Sequence, residues 1–252
     1  MAKQQTKILG KTRKDAVFTS KARLKKPYYV GDLRVPGVST VCGVIDKSGP
    51  LMWWAADLAR KGIDYMTYRD DLANVGKLTH DMILAHFLGM KVDTQQNSKW
   101  EIDRAKNSFK SFLNFISKYK VEPIEVEKEL ISPKHLFGGR LDFYGKVDDV
   151  LTLMDFKTGK RIYDEYFYQC GGYAMLLKEF GFPVEQYIIL NIPRTKGEAF
   201  EVAFLHDRTG TMESPNFVFK NALRLYWAIK ESKKMMKSAV ERVAVKEKKE
   251  KK

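Results

Sequence analysis

Asp142 and Asp155, with Lys157 two places after the second carboxylate, are the residues of this chain whose types and spacing best suit chemistry. Two carboxylates can hold a divalent cation, and an ammonium group beside them can reach a water that attacks phosphorus. That is the equipment of phosphodiester hydrolysis. Gly139 to Gly145 and Val150 to Lys157 both read as strands, and Lys146-Val147-Asp148-Asp149 supplies the polar residues of a hairpin turn between them. Asp155 and Lys157 leave the same face of their strand, and the hairpin can bring Asp142 opposite them. The apolar run ahead of Asp155 implies a buried strand, which seldom ends in two charges without a use for them. Spacing alone leaves a second reading open, an ion pair at the strand end leading into the Thr158-Gly159 turn. Acid-x-Lys also occurs at Glu231/Lys233, Glu247/Lys249 and Glu250/Lys252, where solvated charge accounts for it.

Other elements must position that centre. Tyr163 to Phe180 has the period of an amphipathic helix, with Tyr166, Gln169, Tyr173, Leu176, Leu177 and Phe180 on one face. Gln169 is the polar member of that face. It is either a core glutamine satisfied by backbone groups or a polar group held beside a metal or a scissile phosphate. Strands are expected at Gln186 to Ile192 and Ala199 to Leu205, joined by a turn at Thr195-Lys196-Gly197-Glu198. Upstream, the pattern predicts helices from Pro50 to Lys61, near Asn74 to Leu88 and near Asn97 to Lys118, then a strand from Val121 to Ile131. Ser214-Pro215 is expected to cap a last helix carrying Phe219, Leu223, Tyr226, Trp227 and Ile229. This order predicts an α/β fold with a central mixed sheet flanked by helices.

Gly139-x-x-Asp142, then Asp155-Phe156-Lys157-Thr158-Gly159, then Gln169-x-x-x-Tyr173 on the next helix strongly resembles the PD-(D/E)xK nuclease superfamily. The branch it resembles most is that of the RecB-like and phage-type exonucleases. Gly76-x-x-x-His80 is similar to the element that opens a helix in that branch, and Val126 to Leu130 is similar to the strand that brings an extra acidic residue. Val35-Pro36-Gly37-Val38-Ser39-Thr40, followed by a helix through Trp53 and Trp54, is similar to its amino-terminal element. The likeness spans roughly residues 35 to 205. It implies a restriction-endonuclease-like core and Mg²⁺ or Mn²⁺ held by Asp142, Asp155, the Phe156 carbonyl, His80 and Glu127. Lys157 and Gln169 would serve catalysis. Glu129 is the rival to Glu127, and Glu127 is preferred for its distance from Leu130 and the following glycine. His80 sits among apolar residues and, without the resemblance, also fits a packed core histidine.

Departures from the family limit the reading. Cys42 and Cys170 are the two cysteines, too few for the four-thiolate iron–sulfur cluster of many RecB-like nucleases. No Gly-x-x-x-x-Gly-Lys-Ser/Thr loop is present, so no ATP-driven motor is expected. Paired cysteine or histidine spacing for zinc is also lacking.

Composition agrees with a DNA partner. The 252 residues carry 45 Lys and Arg against 31 Asp and Glu, a net charge of +14, which attracts polyanions whatever the fold. Much of the excess lies in Lys3 to Lys26 and Lys246 to Lys252. The expected organisation is a basic, flexible tail over 1–26, a single nuclease domain over 27–236 and a charged, solvated tail over 237–252. Tyr28 and Tyr29, flanked by Lys25, Lys26 and Arg34, are the best candidates for stacking on bases, and Tyr173 is a further DNA contact. Trp53, Trp54, Tyr65 and Tyr68 are better explained by core packing. DNA ends are the expected partner, with a single-strand-annealing or DNA-binding protein as a second one. No run of about twenty apolar residues suits a bilayer. Two cysteines without a disulfide framework fit a reducing, cytoplasmic setting, with organelle import left open.

Overall fold

Two adjacent aspartates turn the chain back on itself at the heart of the sheet. The computed structural model describes residues 17–18, 26–45 and 48–250, and the side chains of 26–45, 49–207 and 209–238. In it β6 (Phe137–Val147) and β7 (Val150–Lys157) pair antiparallel, in register from Val147↔Val150 to Phe143↔Met154. Asp148 and Asp149 both take left-handed φ, 48° and 66°. A tight two-residue hairpin turn asks for that pair of conformations, and aspartate tolerates them.

Five strands form the main sheet in the order β5-β6-β7-β8-β9, with β5 at Val121–Ser132, β8 at Gln186–Asn191 and β9 at Glu201–His206. All neighbours are antiparallel except β7 and β8. Parallel neighbours need a crossover, and α5 (Asp164–Glu179) supplies it. On its face of the sheet, Leu141, Tyr144, Leu153, Tyr187 and Ile189 pack with Leu176 and Leu177 of α5, Val41 of α1 (Val38–Cys42) and Phe219 of α6 (Glu213–Glu250). On the opposite face, Phe143, Met154, Phe156, Ile188 and Leu190 meet Ile83 of α3 (Tyr65–Leu88) and Phe112 and Phe115 of α4 (Lys99–Ile116). Each such side chain contributes about 1.5–3 kcal/mol on leaving water. Helices thus cover both faces, so the fold is α/β with a central mixed sheet.

Smaller elements flank this frame. A hairpin of β2 (Tyr28–Val30) and β3 (Leu33–Val35) precedes α1, and α2 (Ser48–Arg60) precedes α3. β1 (Val17–Phe18) pairs in parallel with β4 (Lys91–Val92).

Most element ends fall within a few residues of the sequence reading, and the ends of α3 and α6 depart from it in ways that have a physical reason. α3 begins at Tyr65, nine residues before Asn74, because Asp64 caps it by accepting from the Thr67 amide at 2.7 Å. Tyr65, Tyr68 and Leu72 recur at helical spacing in these first turns, but the buried positions of α3 begin only at Val75. α6 begins at Glu213, so Ser214 lies inside the first turn and is not its cap, while Pro215 still occupies a position where no amide is needed. α6 also continues to Glu250, so the carboxy-terminal charged stretch is helical that far and not an irregular tail. Among the described residues, no helix is long and apolar enough to cross a membrane.

α5 and α6 meet at bare backbone. A Cβ on Gly171 would lie 2.7 Å from the Pro215 carbonyl oxygen, and one on Gly172 2.6 Å from the Phe219 ring. Gly171→Val should therefore force the helices apart, an overpacking cost of about 1–3 kcal/mol. Melting temperature should fall by about 2–4 °C for each kcal/mol. Gly197→Ala, where a Cβ would meet nothing within 4 Å, should melt like the parent; equal melting of all three proteins would refute this packing.

Candidate metal centre and active site

The β6–β7 ladder ends at Phe143↔Met154, and beyond that pair the two strands part. Asp142 lies just past the end. Its Oδ2 accepts the Phe156 amide at 2.8 Å, so a carboxylate takes the place of the missing ladder carbonyl. On the other side of β6, β5 pairs Val126↔Phe143 and Lys128↔Leu141 but leaves Glu127 out of the ladder. Glu127 has φ of 52°, a left-handed conformation that costs a non-glycine residue of order 1–3 kcal/mol. That twist sets it apart from Glu129, which pairs with Arg140 across the ladder and meets its guanidinium at 3.1 Å.

His80 reaches the same place from α3. Its Nδ1 lies 3.4 Å from Glu127 Oε1 and 3.3 Å from Asp142 Oδ1. Its Nε2 donates to the Phe156 carbonyl at 3.1 Å. α3 comes this close because Gly76 faces Thr158: a Cβ there would sit 3.2 Å from the threonine Oγ1. One ligand atom from each of His80, Glu127 and Asp142 lies within 4.8 Å of the other two. One imidazole and two carboxylates suit a divalent cation that accepts oxygen-rich ligands.

Asp155 and Phe156 stand beside this trio in different ways. The Phe156 carbonyl borders it through its bond to His80. Asp155, only 2% exposed, turns to Lys157, whose Nζ is 2.7 Å from Oδ2. Gln169 of α5 accepts from the same Nζ at 3.0 Å, and the ring of Tyr166 lies 5.0 Å from it. The ammonium thus has three neighbours that fix its direction.

Electrostatics follows from burial and neighbours. Burial disfavours the His80 imidazolium, but Asp142 and Glu127 outweigh it and lift its pKa to about 10. Burial pushes the Asp155 carboxyl up and Asp142 adds to this, while Lys157 opposes it, leaving about 6. Asp142 goes the other way, since His80 and Lys157 more than offset its burial. Burial works against the Lys157 ammonium too, yet Asp155 and Asp142 hold it above the ordinary lysine range. Lys157 is therefore a fixed cation and not a proton acceptor.

The residues expected to touch DNA divide. Tyr29 is half exposed, and Lys26 and Arg34 are exposed. Lys25 lies outside the described residues. Tyr28 is packed: a Cβ on Gly138 would sit 2.6 Å from its ring, and one on Gly37 3.1 Å away. The ring thus rests against the glycine backbone of Gly37 and Gly138, and Tyr28 is half-buried. Tyr173 packs against Gly139, where a Cβ would meet its Cε1 at 2.9 Å, and is partly buried on the main core. Burial raises its phenol well above the ordinary range, with Asp155 and Asp142 adding to the effect.

Two contributors escaped the sequence reading. Tyr166 sits three residues before Gln169, a helical spacing that places both on Lys157 and was visible in the pattern. Glu201 of β9 accepts the Ile162 amide at 2.6 Å and so ties down the loop after Lys157; no local signal marks it.

No protein-family model matches the chain, and no curated protein matches it in sequence. Among solved structures, a candidate exonuclease from Eubacterium rectale is similar at 10% identity and a TM-score of 0.36, over 63% of this chain and 65% of that one. The chain thus spans about two thirds of that protein's length. The alkaline exonuclease LHK-Exo from Laribacter hongkongensis is similar at 11% identity and a TM-score of 0.29, over 65% of this chain and 91% of that one. Its complex with dAMP is similar at 12% identity and a TM-score of 0.30, over 66% and 92%. No residue role is carried over from likenesses of this degree.

The histidine gives a pH prediction. A pKa raised from 6.5 to about 10 means that His80 adds stability fully below pH 6.5, and that this is lost as pH rises through 10. In chelator, the melting temperature should fall across that window, and His80→Gln should flatten the fall. A slope unchanged by the substitution would contradict the assigned cause.

Proposed function

We propose that this chain is a metal-dependent deoxyribonuclease that hydrolyses phosphodiester bonds from DNA ends. The observation that carries the reading is the meeting of His80, Glu127 and Asp142 within 4.8 Å beside a buried, permanently charged Lys157. His80, Glu127 and Asp142 would hold Mg²⁺ or Mn²⁺, with Asp155 and the Phe156 carbonyl bordering the same place. Such an ion, when bound, lowers the pKa of its water and neutralises charge growing on the phosphate. Lys157 cannot ligate a cation. Its role is to orient the attacking water by hydrogen bonding and to stabilise negative charge in the transition state. Gln169 and Asp155 hold the ammonium in place, and the Asp142–Phe156 bond keeps the carboxylate aimed into the gap between strands.

The substrate reading rests on charge and on the resemblance in sequence. A net charge of +14 and the exposed Lys26, Arg34 and Tyr29 suit a grip on backbone and bases without sequence readout. The motifs from Gly76 to His80 and from Asp142 to Tyr173 resemble those of end-processing nucleases of phage-type recombination and DNA processing. A single-strand-annealing or DNA-binding protein would be a fitting companion.

Asp142→Asn should cut the rate on linear DNA in Mg²⁺ by about a hundredfold or more, with the melting temperature in chelator reported alongside to show that the chain is folded. Lys157→Ala should lose turnover yet still bind Mn²⁺, read by electron paramagnetic resonance. Near-parental digestion by Asp142→Asn would sink the site assignment. With the parent protein, linear DNA should be shortened to small products while covalently closed circles persist. Rapid linearisation of closed circles would make it an endonuclease instead.

A further inference from the structure

We infer that β9 is a self-association edge, on which a second copy of this chain adds its own β9 to make one continuous sheet. The inference does not rest on the nuclease reading.

Backbone hydrogen bonding shows which way the edge faces. The Ile192 amide donates to the Lys157 carbonyl, so Ile192 and, two residues apart along the strand, Leu190 and Ile188 direct their polar groups toward β7. Asn191, Ile189 and Tyr187 then face β9, where their partners are Glu201, Ala203 and Leu205. The Asp207 amide donating to the Glu185 carbonyl fits the same alternation. What remains on the outer edge is the N–H and C=O of Val202, Phe204 and His206. His206 is already served, since its amide donates to Thr211 Oγ1 and its carbonyl accepts from the Thr209 and Thr211 hydroxyls. The outward groups of Val202 and Phe204 have no partner among the described residues.

The two edges of the sheet differ in their protection. β5 carries Pro123, a register shift between Pro123 and Glu125, the left-handed Glu127, and the charges of Glu122, Glu125, Lys128 and Glu129. These are the devices that stop one sheet from pairing with another. β9 reads Glu-Val-Ala-Phe-Leu-His, with no proline, lysine or bulge. Its one carboxylate, Glu201, is turned inward to the Ile162 amide. Phe204 in the middle of the strand is 40% exposed, and Phe200, just ahead of it, is 45% exposed.

An open edge can take up another extended strand, and a second copy of β9 is the occupant that brings the same two unpaired residues in matching register. In an antiparallel pairing about a two-fold axis at Ala203, Val202 lies opposite the second copy's Phe204, and Phe204 opposite its Val202. The outward N–H and C=O of these two residues are then satisfied in both copies. Residues paired this way share a face, as the alternation demands. Ala203 meets its own copy in the closer, non-hydrogen-bonded pair, where a methyl is easily accommodated. Phe200 falls beside the second copy's His206, whose capped backbone ends the ladder. Such a contact is an isologous interface of the commonest kind.

Analytical ultracentrifugation of the full chain at up to ~100 μM should show a reversible monomer–dimer equilibrium. Phe204→Lys should shift it to monomer with the melting temperature kept, and Leu225→Lys, at an exposed position on α6, should leave it unchanged. Ala203→Cys should give a disulfide-linked dimer on mild oxidation, because in a non-hydrogen-bonded pair the two Cα atoms lie about 4.5 Å apart, a span a disulfide can bridge. Met236→Cys, on the exposed surface of α6, should not. A parent protein that stays monomeric overturns the proposal. So does a dimer that survives Phe204→Lys and fails to cross-link through Ala203→Cys, which would locate the contact elsewhere.

Discussion

Charges can be kept inside a fold only when each one is answered by another charge or by a hydrogen bond. At the carboxyl end of β7 this chain buries Glu127, Asp142 and Asp155 against two cations, His80 and Lys157. The answer is divided between the sides. His80 is shared by Glu127 and Asp142, while Lys157 is shared by Asp155 and Gln169. With three carboxylates against two cations the group is short of positive charge. The two carboxylates beside it are why the imidazole holds its proton so tightly, and the carboxyl of Asp155 rises through burial, with Asp142 adding to it. A divalent cation, if these groups hold one as proposed, would answer the same shortage.

The surrounding structure can be understood as the means of bringing these groups together. The hairpin at Asp148 and Asp149 sets the register that puts Asp142 beyond the last ladder pair. Because β6 and β7 part there, a side chain can enter where a backbone carbonyl would otherwise lie. Gly76 lets α3 close on Thr158, and without that approach His80 would stand off the carboxylates. The left-handed Glu127 is the counterpart on β5: it breaks the ladder and delivers a carboxylate to the face where it is needed. Local strain of this sort survives where surrounding packing enforces it, and Phe143 beside it is fully buried.

Much of this was legible in the sequence, because strands and their ends have a short period. The alternation around Asp142, Asp155 and Lys157 marked the hairpin, and the apolar period of α5 put Gln169 on the face that meets the sheet. What escaped depended on contacts remote in the chain. Nothing near Glu127 announces a positive φ, so Glu127 and Glu129 shared one strand face and only the resemblance favoured Glu127. The pairing of Asp155 with Lys157, apart from His80, Glu127 and Asp142, depends on where α5 delivers Gln169 and Tyr166. Tyr28 looked like an open aromatic among basic residues, and nothing nearby showed that its ring would rest on Gly138, more than a hundred residues away. The early start of α3 was hidden because a cap can begin a helix before its apolar face begins to be buried.

The two ends of the sheet are connected through β9. Its side chains alternate between the two cores, Ala203 and Leu205 toward α5 and Val202 toward α4. Glu201 alone reaches along the sheet to the loop that follows Lys157. The backbone of Asn191, opposite Glu201 on one side, is opposite Lys157 on the other. A strand at a free edge is held by one neighbour and frays more easily than one held by two. Pairing β9 with a second copy would steady the carboxylate that ties the loop, and with it the segment on which Lys157 depends for its position. In this way an interface at the far edge and the chemistry at the strand ends would draw on the same six residues.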